Sequence, residues 1–209
     1  MPDIIFLLDE SASMTPHVKS YINGVNTLLT TQKQANPNSK FTMIKFSSEI
    51  KTLCVDTKMH TLPEFTSEFY KPNGITALYD AIGHAIKLKH TNRVTNSVII
   101  ILTDGEDNHS KNYTLETIAQ QIMYMQRRGW VFVYIAANQN AQMIGEKLGI
   151  GTCLTYNETE KSIADVAHAC SIAIGHAIYN WSGIPNQFCE EKMPTDVRDL
   201  IEEMENISI

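Results

Sequence analysis

Two runs of this chain, Asp3–Leu8 (DIIFLL) and Val98–Leu102 (VIIIL), carry apolar residues at consecutive rather than alternate positions. A strand with one face in water alternates, whereas a strand covered on both faces has no need of polar residues along its length. Asp3–Leu8 is therefore predicted to be a strand buried on both faces, and Val98–Leu102 the most hydrophobic strand of the chain. Each run then turns abruptly polar. The first leads into Asp9-Glu10-Ser11-Ala12-Ser13 and the second into Thr103-Asp104-Gly105-Glu106-Asp107-Asn108. A strand that needed only a turn would more naturally use Gly, Asn or Pro than a carboxylate and two hydroxyls spaced by two.

Strands and helices alternate along the rest of the chain. Thr15-Pro16 supplies an N-cap and an N1 proline for a helix over His17–Gln34, with Val18, Ile22, Val25, Leu28 and Leu29 at helical spacing. Phe41–Phe46 and Ile50–Val55 read as a hairpin turning at Ser47-Ser48, which makes one strand antiparallel. Asp56–Asn73 is a long polar connection, and Thr76–Lys89 is helical with Leu78, Ile82, Ala85 and Ile86 on one face. Further on come a helix over Leu115–Gln126 closed by Arg127, Arg128 and Gly129, a strand over Trp130–Ala136 and a helix over Ala141–Leu148. A short strand over Thr152–Thr155 and an Ala/Ile-rich helix over Lys161–Ile178 end the pattern. The predicted fold is α/β, a doubly wound Rossmann-like, mostly parallel sheet with one antiparallel edge strand and helices on both faces. It fills one domain, 1–182, followed by a tail, 183–209.

The chain has 209 residues, 43% of them hydrophobic, enough for a substantial core. No stretch approaches the roughly 18–20 apolar residues of a membrane span. Met1-Pro2-Asp3 lacks a basic n-region, so no secretory signal and a cytoplasmic location are expected. Cys54, Cys153, Cys170 and Cys189 show no C-x-x-C pairing and read as reduced core thiols rather than a disulfide or zinc framework. The N-x-Ser/Thr sequons at Asn108, Asn112, Asn157, Asn180 and Asn206 are then chance occurrences. The net charge of −6, with no Lys/Arg stripe, argues against nucleic-acid binding. Seven acidic and two basic residues fall in Phe188–Ile209, leaving 16 acidic and 15 basic in a nearly neutral body. Within that tail Thr195 can cap a helix whose Val197, Leu200, Ile201 and Met204 form one apolar stripe. Such a helix either docks on its own domain or packs against a second subunit or a basic partner.

In open α/β sheets ligands bind outside the carboxyl ends of the strands. Three polar clusters are expected there: Asp9–Ser13, Asn73-Gly74-Ile75-Thr76 at a helix start, and Thr103–Asn108. Together they offer two carboxylates and three hydroxyls, without His or Cys. Oxygen-only donors suit a hard cation, and Mg²⁺ tolerates one or two carboxylates with neutral oxygens and waters. Alternation along an extended loop would point Ser11 and Ser13 the same way. The competing reading is that Asp9 and Asp104 cap helices and the serines finish turns, all without metal.

These residues resemble the von Willebrand factor A domain with its metal-ion-dependent adhesion site. Asp9, Ser11 and Ser13 match Asp-x-Ser-x-Ser, Thr76 stands in the threonine loop Gly-Ile-Thr-Ala-Leu-Tyr-Asp-Ala, and Asp104 belongs to Thr-Asp-Gly. The likeness covers roughly residues 1–180 and is nearest to stand-alone intracellular A-domain proteins of bacteria, phages and viruses. It implies Asp9, Ser11, Ser13, Thr76 and Asp104 as ligands of Mg²⁺, with Mn²⁺ or Ca²⁺ as alternatives. One coordination position stays open for an Asp or Glu of a partner protein. Glu10, Gly74, Asp80, Gly105 and Asp107 would surround the ion. Glu10 would add negative charge beside the site, Asp80 would either favour the helix dipole or hold the threonine loop, and Asp107 would form the loop. Ala12 departs from the family, where many relatives have glycine. His17 and His109 lie beside the metal loops, as rim or as ordinary surface residues. His168 and His176 face core or solvent.

The implied function is a metal-dependent protein-binding module rather than an enzyme. A Mg²⁺-dependent phosphoryl-transfer hydrolase is the alternative from another class. Against it, there is no phosphate loop, no Asp-x-Asp nucleophile motif, and no Lys or Arg in the three loops to steady transferring charge. A structural role in a virion or other assembly would still be a binding function.

Overall fold

The structure is a computed structural model that describes residues 3–90, 96–137, 141–156, 167, 170, 171 and 173–175. Six strands form one sheet: β1 (Asp3–Asp9), β2 (Lys40–Phe46), β3 (Ile50–Lys58), β4 (Ser97–Thr103), β5 (Val131–Ala137) and β6 (Thr152–Tyr156). Their order across the sheet is β3-β2-β1-β4-β5-β6, with every neighbouring pair parallel except β2 and β3. The predicted doubly wound sheet with one antiparallel edge strand is what forms. Four helices connect these strands: α1 (Val18–Ala35), α2 (Leu78–His90), α3 (Leu115–Gln126) and α4 (Ala141–Leu148). The described positions from 167 to 175 are helical, within the helix expected over Lys161–Ile178. The rest of that helix, His168 and His176, and the acidic tail with its apolar stripe lie outside the described residues, as do Cys189 and the sequons at Asn157, Asn180 and Asn206.

The unbroken apolar runs follow from where their side chains go. Ile4, Phe6 and Leu8 of β1 point to one face, beneath Tyr21, Val25, Leu28 and Leu29 of α1. Ile5 and Leu7 point to the other, beneath Leu78, Ala81 and Ile82 of α2. Val98–Leu102 of β4 divides in the same way, and all five of its side chains are buried. Burying one such side chain contributes roughly 2 kcal/mol, so these central strands anchor both layers of the core. Cys54, Cys153 and Cys170 are free thiols, the first two half-buried and the third buried. Among the described residues no helix is long and apolar enough to cross a membrane.

Three local predictions need correction. The helix expected from His17 is preceded by a 3-10 turn, Ala12–His17, that contains Pro16. Thr15 does not cap it, because its hydroxyl donates back to the Ala12 carbonyl at 2.7 Å. The connection after β3 is not simply polar either. Since β3 runs antiparallel, it ends beside Lys40, at the opposite end of the sheet from Asp9. The chain must travel back along the sheet, and it does so by burying Met59, Leu62, Phe65 and Tyr70 against α1. Asn26 of α1 holds this segment by donating to the Phe65 carbonyl and accepting from its N–H, both at 2.8 Å. Lys33 donates to the Leu62 carbonyl at 2.7 Å. Thr76 therefore reaches the site at the end of a return path, not at the end of a third strand.

At the far end of the sheet Lys89 of α2 is fully buried and ion-paired with Asp3 of β1 at 2.8 Å and with Asp56 of β3. Removing the ammonium would strand the Asp3 carboxylate where water cannot solvate it, while Asp56 keeps partial access to solvent. Lys89→Met should destabilise the protein by about 3–5 kcal/mol in urea denaturation. A loss below about 1 kcal/mol would mean that this cluster does not hold the three elements together.

Candidate metal centre

The chain order reverses between β1 and β4, and the two strands lie side by side in register, Leu8 opposite Leu102. That juxtaposition brings Asp9 against Thr103. The Asp9 carboxylate is fully buried. Its Oδ1 accepts from the Ser11 N–H at 2.7 Å, and its Oδ2 from the Thr103 hydroxyl, also at 2.7 Å. Thr103 in turn accepts from the Gly105 N–H at 3.1 Å. Past Ser11, whose backbone is extended, the chain does not stay extended as predicted but coils into the 3-10 turn. The two hydroxyls still meet, with Ser11 Oγ 3.0 Å from Ser13 Oγ. Ser13 donates to Asp104 Oδ1 at 2.8 Å. Ala12 donates its N–H to the Gly74 carbonyl at 3.0 Å without taking a left-handed φ, so alanine is accommodated there. Gly74 does need its freedom, since it sits at φ 84° and a Cβ would meet Ser48 Oγ at 2.6 Å.

Thr76 and the third loop are clasped together. Thr76 donates its N–H to Asn108 Oδ1 at 2.8 Å, and its carbonyl accepts from the N–H groups of Asn108 and His109, each at 3.0 Å. Asp107 Oδ1 accepts from the Tyr79 N–H at 3.2 Å, and Ser110 Oγ from the Asp80 N–H at 2.9 Å. Because these partners take the backbone groups of residues 76–80, α2 starts at Leu78 and not at Thr76 as predicted. Asp80 does more than favour the helix dipole. Its carboxylate accepts from the backbone of Lys111, Asn112 and Tyr113 and from the Asn112 side chain, at 2.9–3.0 Å. Burial works against its charge, but these four donors outweigh it and hold the carboxyl below its ordinary value.

Glu10 does not add free negative charge to the rim. It is buried, and its Oε1 accepts from Lys45 Nζ at 2.6 Å and from the Lys71 N–H at 2.7 Å. Lys45 also donates to the Phe69 carbonyl, so the pair braces the end of the return path. Tyr70, buried there, donates to the Asp9 carbonyl at 2.9 Å. For Asp9 itself burial is the dominant influence and pushes the carboxyl up to about 6, against the lowering effect of Thr103 and Ser11 and with Asp104 adding to the rise.

Asp9, Ser11, Ser13 and Asp104 are thus joined by hydrogen bonds at the switch point of the sheet, and Thr76 stands beside the third loop at Gly105. No cationic side chain pairs with the buried Asp9 among the described residues. The Thr76 hydroxyl makes no hydrogen bond among them, and it lies 3.6 Å from where a Cβ on Gly105 would stand. No group of three or more His, Cys, Asp or Glu converges among the described residues, so a nitrogen- or sulfur-seeking metal has no nest. A buried carboxylate with no cationic partner among the described residues, in an all-oxygen set, fits a hard divalent cation. Such an ion would use Asp9, Ser11, Ser13, Thr76 and Asp104.

Several residues that shape the site were missed in the sequence. Thr103, Lys45 and Tyr70 act through contacts made by distant parts of the chain. Asn108 and Ser110 left a fainter sign, since Asp, Asn and Ser in a short loop commonly bond to nearby backbone groups. His109 contributes its backbone N–H to the clasp.

The comparisons with known proteins agree with this architecture. A comparison with curated proteins finds no match. Among solved structures, proximal thread matrix protein 1 from the mussel byssus superposes with a TM-score of 0.63 at 16% identity, over 81% of this chain and 45% of that one. The same protein is also known with a zinc-occupied MIDAS motif, at a TM-score of 0.61 and 14% identity over 83% of this chain and 45% of that one. The pilus adhesin SpaC of Lactobacillus rhamnosus GG gives 0.64 at 13% identity, over 82% and 30% respectively. The SpRpn10 VWA domain gives 0.58 at 13%, over 81% and 95%. This chain thus spans less than half the length of the mussel and Lactobacillus proteins, and at these identities the likeness is one of fold. The von Willebrand factor type A domain family matches residues 3–162, most of the chain, and the protein belongs to that family.

Proposed function

We propose that this protein is a metal-dependent protein-binding module whose ion, held by Asp9, Ser11, Ser13, Thr76 and Asp104, accepts a carboxylate from a partner. The observation that carries the proposal is the hydrogen-bonded chain Asp9–Ser11–Ser13–Asp104, with Thr76, whose hydroxyl makes no hydrogen bond among the described residues, next to Gly105 of the same third loop. A divalent ion satisfies this set, and two carboxylates leave it electrophilic enough to seek a third anionic oxygen. Mg²⁺ is the expected ion, with Mn²⁺ or Ca²⁺ as alternatives. Glu10 poses no obstacle to an acidic partner, since Lys45 neutralises it in place. Ile75, next to Thr76 and 45% exposed, offers an apolar contact at the rim of the kind a protein partner would cover. The mussel protein with a zinc-occupied MIDAS motif supports metal occupancy within this fold. A cytoplasmic setting and a non-enzymatic role belong to the same proposal.

A ligand that binds only the folded state stabilises it by about 2.7 kcal/mol at one hundred times its dissociation constant. Mg²⁺ or Mn²⁺ should therefore raise the melting temperature of the wild type but not of Asp9→Ala or Asp104→Ala. The effect should also depend on pH. A carboxyl raised from 3.8 to about 6 by folding binds its proton more tightly in the folded state. The metal-free protein should accordingly lose stability at this group as pH rises from about 4 to about 6. Metal competes with that proton, so the Mg²⁺-induced rise should be larger at pH 7.5 than at pH 5. An unchanged melt across millimolar metal at both pH values would refute the site.

Turnover assays separate binder from enzyme. Purified protein with Mg²⁺ should leave phosphoesters, nucleotides and nucleic acid intact. Activity that disappears in both Asp9→Asn and Thr76→Ala would establish the hydrolase instead. Affinity capture from the native source addresses the partner. Capture should be lost in EDTA and with the Asp104→Ala bait, and equal recovery with and without EDTA would remove the ion from the interaction.

A further inference from the structure

Asn108 stands in the third loop with its residue largely exposed, so packing does not account for it. Its side chain turns back to accept the Thr76 N–H through Oδ1 at 2.8 Å, while its own N–H donates to the Thr76 carbonyl at 3.0 Å. The peptide groups on both sides of Thr76 are thereby fixed by one residue, with a second bond from the His109 N–H at 3.0 Å. The Thr76 hydroxyl makes no hydrogen bond of its own among the described residues, so its place depends on where the backbone sets the residue and on the stiff χ1 of a β-branched side chain. Asn108 Nδ2 makes no hydrogen bond among the described residues, so only the acceptor oxygen of the amide is used. Two neighbouring bonds, Tyr79 N–H to Asp107 and Asp80 N–H to Ser110, hold the helix start but do not touch Thr76.

We infer that Asn108 is the positioning residue that aims the Thr76 hydroxyl at the metal. The inference rests on the metal reading of the site and adds a specific requirement to it. With the Asn108 side chain removed, the Thr76 carbonyl stays held by two backbone donors but its N–H loses its acceptor. The peptide can then tilt, the hydroxyl drifts, and water takes its place on the ion.

Mn²⁺ is a suitable probe, because electron spin echo modulation in D₂O counts the waters bound to it. Asn108→Ala should carry one more bound water than the wild type and bind Mn²⁺ on the order of tenfold more weakly. Asn108→Asp keeps the acceptor oxygen and should return the water count to that of the wild type, an outcome that a purely structural role for Asn108 does not require. Should Asn108→Ala fail to fold in the metal-free state, Asn108→Ser is read by the same water count. A wild-type count and affinity in Asn108→Ala, or an equal gain of water in Asn108→Ala and Asn108→Asp, would overturn the assignment of Asn108 alone. Failure of the wild type to bind Mn²⁺ would overturn the metal reading and this inference with it.

Discussion

The in-register parallel pairing of β1 with β4 is the constraint on which the rest of the molecule depends. It requires two strands covered on both faces, and it sets the carboxyl end of one against the carboxyl end of the other. Asp9 and Thr103 then meet at 2.7 Å without either loop having to be long or strained. A shift of one residue along either strand would exchange the two layers of the core, because Ile4, Phe6 and Leu8 face α1 while Ile5 and Leu7 face α2. The register that packs the core is thus the register that assembles the site. Position here follows from hydrophobic burial, and the polar loops inherit it.

Around this centre the molecule uses two different kinds of support. The first loop is held from below, by Tyr70 on the Asp9 carbonyl and by the buried Lys45–Glu10 pair on the return path. The second and third loops are held by each other, through the bonds that join residues 76–80 to residues 107–113. Ser13 to Asp104 and Thr103 to Asp9 link the first and third loops through side chains. An ion would add further links across the same seam.

The layer structure was legible in the sequence because it is written in periodicity. Consecutive apolar residues marked the central strands, 3.6-residue spacing marked α1, α2 and α3, and the Ser47-Ser48 turn marked the hairpin. The residues of the proposed site stood out in the sequence because their types are unusual at strand ends. What escaped were features fixed by partners far away in the chain. The return path looked polar because its buried anchors, Met59, Leu62, Phe65 and Tyr70, follow no regular period. Glu10 looked like a rim charge because Lys45 lies 35 residues away in sequence. Asn108 looked like a chance sequon because nothing local reveals that its amide reaches Thr76, 32 positions earlier.

The sequence separations across the site carry a kinetic meaning. The bonds that draw the loops together span 91 residues from Ser13 to Asp104, 94 from Asp9 to Thr103 and 61 from Asp9 to Tyr70. The two longest have the same reach in sequence as the β1–β4 pairing itself, so they form no earlier than that pairing. An isolated first loop, or a nascent chain that has not yet produced β4, therefore has no competent nest to offer. Anything that binds these residues meets a finished domain and does not template one. An ion that bridges these residues only in the finished domain would slow unfolding more than it would speed folding.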